Sequence, residues 1–340
     1  MTAERPDVTE EPHDSPPAPG PPDAPGGGLD FRALAALIAQ VCDLKRVRDA
    51  RSPRSLAERA LARAWSRLAA GENVETVALS EAASAVAAVC LGGLDWDALT
   101  ANGLAPDEAT AALRAAFDSV AGPVEPALRA RLRAALGAVP AGGPEPAFVD
   151  ALVRQPRAGA TAPGLPRIVL ESAESHADHC FCTAASAVLL APVYGADAGR
   201  VFLTGLAHHL ANSGLPDAGF AADTLLGPAR AARLWTMATE RALAGVPDAL
   251  VPAVRDALAT TAEAAFATPE ARAFHAADVL DRVGEMAWHA RAARFRLADA
   301  LGDGPGQLGV CHTGFYQTFQ QGVLAAAGLW PPDAAGVDAP

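Results

Sequence analysis

Seven of the eight histidines lie beyond residue 175: His176, His179, His208, His209, His275, His289 and His312, with His13 alone near the N-terminus. Histidine is the commonest protein metal ligand, so their crowding into one half points to metal chemistry. Three segments carry it. In SHADHC (175–180), His176 and His179 stand three apart and share one helix face. In LAHHLANSGLPDAG (206–219), His208 and His209 are adjacent, about 100° apart on a helix. Either one faces a site and the other a neighbour, or both straddle one ion. In FHAADVLDR (274–282), Asp278 sits among apolar residues, where a carboxylate must be paired or bind a cation.

The order of these residues is His179, the doublet 29 positions later, and Asp278, which is 69 positions after His209. That order resembles the HD-domain metal-dependent phosphohydrolases, which read H…HD…D on successive helices. ESAESHADHC is similar to the helix with the family's first histidine, GLAHHL to its LLHD segment, and HAADVLDRV to the helix of its terminal aspartate. The likeness covers roughly 167–295 and is nearest to the deoxynucleotidase-like branch. It implies an all-α, HD-domain-like bundle in which His179, His208, His209 and Asp278 hold one divalent cation. It also implies hydrolysis of a nucleotide or other small phosphomonoester.

Two departures stand out. His209 replaces the doublet's aspartate, and Asn212 stands where the nucleotidase branch has an acid that activates water; an amide is no general base. Asp217, near a second acid of that branch, is then expected to orient the water. The same departures motivate a rival expectation, a catalytically inactive HD-like module for binding or scaffolding. Three imidazoles and one carboxylate favour Mn, Fe, Co, Ni or Zn over Mg, which prefers oxygen.

Other residues are weaker candidates. His176 either binds substrate phosphate or water, or is a solvated helix-start residue. Arg167 precedes the first motif and is placed to clamp a phosphate. Arg282, four residues after Asp278, either does the same or salt-bridges Asp278. His275 shares the Asp278 face and either backs a ligand or lies at the surface. Cys180 and Cys182, two apart, point about 200° apart on a helix and cannot close on one zinc. The Gly302–Gly309 stretch lacks the strand and Lys-Ser/Thr of a phosphate loop.

The elements that must position these residues read as helices, without sustained period-2 runs. Asp30 is expected to cap the first, and Ser52-Pro53 the second, which stops at Gly71. Further helices are expected near 75–91, 106–121, 125–138, 175–190, 197–213, 217–226, 229–244, 247–262, 269–295 and 313–327. The organisation predicted is a disordered tail over 1–29, helices over 30–140, a linker at 141–166, the metal-binding domain at 167–330 and a disordered tail at 331–340. Eight prolines and four glycines in 1–29 underlie the first assignment.

Net charge is −12, and the first 30 residues hold seven acids against Arg5. The rest is mildly acidic, which argues against a nucleic-acid surface. The single lysine, Lys45, among 26 arginines reads as coding bias with little chemistry. Five cysteines form no disulfide framework, and no run of about 18 uncharged apolar residues suggests a membrane span. A soluble, cytoplasmic protein is therefore expected. Its partner would be a small phosphorylated substrate, with room for a homo-oligomer or a protein partner through the N-terminal region.

Overall fold

The computed structural model describes residues 29–139, 142–158, 173–293, 297–301 and 314–330. Arg167, His312, Cys311, residues 1–28 and residues 331–340 lie outside them, as does much of the expected linker. Among the described residues the fold is all-α, with only two isolated bridges and no strand.

Local caps start the helices. Asp30 accepts from the Ala33 N–H and opens α1 (Phe31–Cys42). The second helix, α2 (Leu56–Ala69), begins at Ser55 and not at Ser52-Pro53. Ser55 Oγ accepts from the Glu58 N–H while the Glu58 carboxylate accepts from the Ser55 N–H. That reciprocal box satisfies two orphan donors, which Ser52 does not. The first half continues with α3 (Val74–Leu91), α4 (Trp96–Ala101), α5 (Pro106–Val120) and α6 (Pro126–Ala134). Inside the expected linker, where the apolar segment Ala147–Val153 reads as one short packed helical turn, lies α7 (Ala147–Arg154), which buries Phe148, Val149 and Leu152. Phe148 meets Trp65 of α2 edge-on at 5.0 Å.

The centre of the molecule is α8 (His176–Tyr194), buried at every position from His176 to Ala191. Its alanines allow close neighbours. The tightest approach comes from α9 (Ala198–Ala207), where a Cβ built on Gly205 would stand 2.4 Å from the Ala184 Cα. Then follow α10 (Phe220–Leu226), α11 (Pro228–Leu243) and α12 (Val251–Thr260). The long α13 (Pro269–Ala293) packs on α8, α9 and α1, and α14 (Leu297–Leu301) and α15 (Gln317–Ala326) pack on it.

The boundary expected at 141–166 does not divide the packing. Leu34, Trp65 and Phe117 of the first half share one continuous apolar core with Phe181, Phe202 and Phe319 of the second. The helices α1, α2 and α3 all pack on α8. By length and composition α3 and α8 are apolar enough to span a membrane, because alanine raises their mean hydropathy. Both are core helices here, and 83% of the α8 window is buried.

Candidate metal centre

The residues picked from the three segments converge. His179 lies in the first turn of α8, completely buried. Its Nε2 is 3.0 Å from His208 Nε2 and 3.2 Å from Asp278 Oδ1. One donor nitrogen from each of His179, His208 and His209 lies within 4.8 Å of the others. Two ligand atoms, each ~2.1 Å from a cation and at right angles, stand ~3.0 Å apart, so the His179–His208 and His179–Asp278 spacings fit one shared ion.

The doublet does not sit on a continuing helix. The helix expected to run to Ser213 ends at Ala207; His208 is its C-cap and Leu210–Ser213 forms a 3₁₀ turn. At His209 the backbone leaves helical values (φ −106°, ψ 20°). This unwinding turns both rings to one side, 4.3 Å apart at their centroids, instead of fanning them about a helix. Tertiary packing ends the helix: Gly205 is pressed on Ala184, and the segment after it turns to meet α7 and α11.

Each imidazole is anchored from behind. Nδ1 of His179 donates to Asp281 Oδ2 at 2.7 Å, that of His208 to the Gly205 carbonyl at 2.7 Å, and that of His209 to Asn212 Oδ1 at 2.9 Å. In a neutral imidazole, a ring nitrogen that donates leaves the other with a lone pair, so the Nε2 atoms of His208 and His209 are directed inward as acceptors, and that of His179 faces Asp278. Donor chemistry and spacing both fit a divalent cation. Asn212 thus serves as the acceptor that orients His209.

Charge completes the picture. Burial, together with the neighbouring His179, pulls His208 down to about 3, and burial with the His208 imidazole holds His209 well below the usual imidazole range. Both are neutral at pH 7 and ready to coordinate. Burial and Arg157 also oppose charge on His179, but its hydrogen bonds to Asp278 and Asp281 outweigh them and raise it. Burial opposes charge on Asp278 as well, yet Arg282, His179 and His208 hold it well below the carboxylate range.

No family model, curated protein or solved structure matches this chain. The centre is therefore described by its own geometry.

Asp217 and His176 come together beside the centre, with Nε2 of His176 3.6 Å from Asp217 Oδ2. Asp217 is fixed by the N–H groups of Ala158 and Gly219. His176 is not a solvated helix-start residue: it is fully buried, donates Nδ1–H to the Gln155 carbonyl and packs edge-on against His209. Burial, with Arg157 nearby, pulls it down to about 4. Arg282 pairs with Asp278 Oδ2 at 3.1 Å, which is the salt-bridge alternative. His275 is buried against Phe266 and Tyr316 rather than at the surface.

Sequence reasoning missed four residues. Asp281 orients His179, and its signal was present, since it falls three after Asp278 on one helix face. Arg157 places Nη1 2.6 Å from His209 Nε2, and Glu174 lies just before α8. Lys45 carries chemistry after all. Its ammonium is buried among Glu174, Asp281 and Glu285.

Proposed function

We propose that this chain is a metal-dependent phosphohydrolase of the HD-domain type, acting on a nucleotide or other small phosphomonoester in a reducing, cytoplasmic setting. The observation that carries the reading is the meeting of His179, His208 and Asp278 from three separate helices. With His209 they make a donor set whose inward nitrogens are fixed by partners behind them. A divalent ion such as Mn, Fe, Co, Ni or Zn supplies, when bound there, a Lewis acid for a phosphoryl oxygen and acidifies water. The chain's own residues do the rest. Asp217, held by two backbone N–H groups, keeps one carboxylate face toward His176 and is placed to orient water and take its proton. Arg157, beside His209, receives the substrate's negative charge; a cation taken up by His209 must displace the contact Arg157 now makes there.

The test is hydrolysis of a nucleotide panel after loading with each of these metals in turn. Activity appears with at least one of them, and Asp278→Ala removes both the ion and the activity. Fully loaded protein that hydrolyses none of the panel, with Asp278→Ala indistinguishable, sinks the enzymatic reading.

One set of observations favours the binding-module reading. Both Asp278 oxygens are engaged, by His179 and Arg282. The helix that packs on the site's 3₁₀ turn, α11, leaves Leu234, Trp235 and Met237 exposed. Elemental analysis separates the two, because a module that has lost the metal returns no stoichiometric ion.

A further inference from the structure

Behind the centre lies a second group of donors, which shares His179 with it. Glu174, His179 and Asp281 each place one donor atom within 4.8 Å of the others, a spacing that suits one cation. The side chains of Glu285 and Asp281 are buried and that of Glu174 nearly so, and burying several carboxylates together requires compensating positive charge. The Lys45 ammonium supplies it. It lies 2.5 Å from Glu174 Oε1, 2.8 Å from Asp281 Oδ1 and 3.3 Å from Glu285 Oε2, so three carboxylates surround its three donors. Arg46 adds a second cation on Glu285 from the outer side. His179 joins the two groups, with Nε2 toward Asp278 and Nδ1 on Asp281.

We infer that Lys45 restricts the centre to one metal by occupying, as a tethered cation, the place a second divalent ion would take among Glu174, Asp281 and Glu285. This rests on the metal centre proposed above. Carboxylate oxygens are the donors that hard divalent cations choose, and an ammonium is the one side-chain group that satisfies them without leaving an open coordination position. A coding bias toward arginine would have put a guanidinium here. The planar fork of arginine cannot point three donors into so compact a cage.

The test is Mn²⁺ stoichiometry by elemental analysis and electron paramagnetic resonance, on full-length protein produced with Mn²⁺ supplied. The native chain takes up one ion. Lys45→Ala and Lys45→Gln take up two, with a spin-coupled signal from the neighbouring pair. Adding Glu174→Gln to Lys45→Ala removes a ligand and returns the count to one. Two ions in the native protein overturn the inference, as does a single ion in both neutral variants. Failure of both variants to fold with Mn²⁺ present also overturns it, because the second ion would restore the missing charge. No ion in any form is a different failure, that of the metal centre itself.

Discussion

If the proposed centre binds a metal, His179 is the residue at which a proton and the metal compete. Its Nε2 faces His208 Nε2 and Asp278 Oδ1, and its Nδ1 is committed to Asp281. Hydrogen bonds to two carboxylates raise its pKa from the usual imidazole range against the pull of burial and Arg157, which favours a proton there. His208, held down to about 3, holds none. A cation that takes His179 Nε2 must displace that proton, and one released proton means affinity falls about tenfold for each pH unit below the His179 value. Calorimetry of Mn²⁺ binding at pH 6.5, in buffers of different ionisation enthalpy, should report proton release. Heats that do not depend on the buffer would remove His179 from the ligand set. The candidate ligands were legible because histidine is rare here and three segments hold five of the eight. Lys45 and Glu174 were not, because their partnership spans 129 positions and no local pattern marks it.

At the scale of elements, several caps were readable, while the cap at Ser55 and the break at the doublet were not. Asp30, Ser175 and Asp197 open their helices by local hydrogen bonds that depend on a few neighbouring residues. The end of α9 after Ala207 depends on contact with α8, which no neighbouring residue announces. Gly205 is the residue where that contact is closest, and its carbonyl also holds His208 Nδ1. On an open helix, glycine to alanine gains up to about 1 kcal/mol. Here the new Cβ would meet backbone atoms of Ala184 at 2.4 and 2.6 Å, and backbone cannot swing aside as a flexible side chain can. Overpacking of that kind costs about 1–3 kcal/mol, which reverses the sign. Gly205→Ala is therefore expected to lower the melting temperature and to weaken Mn²⁺ binding, although it changes no ligand. A stabilised variant with native metal affinity would show that α8 and α9 are not in register as described.

The whole molecule behaves as one packing unit, and this has a thermal consequence. Composition placed a linker at 141–166, because proline and glycine punctuate the chain there. Composition does not reveal that α7 inside it is pinned to Trp65 by Phe148. A second clasp joins the halves. Ser175 Oγ donates to Glu58 Oε1 at 2.8 Å and Ser55 Oγ donates to Asp178, so the capping boxes of α2 and α8 each hold the other's acid. Burial, with Glu58 alongside, raises Asp178 to about 7, so a proton helps this pair of acids stay inside. With α2 locked to the first turn of α8, the helix that carries His179 cannot keep its place once α2 has melted. Leu61 of α2 is fully buried and contributes no ligand, and its replacement by alanine costs about 2–5 kcal/mol. Heat should then unfold the protein in a single calorimetric transition. Leu61→Ala should lower that transition by several degrees and advance Mn²⁺ release by the same interval. Two transitions, of which Leu61→Ala moves only the one without the metal, would mean that the halves fold apart and that the first merely leans on the second.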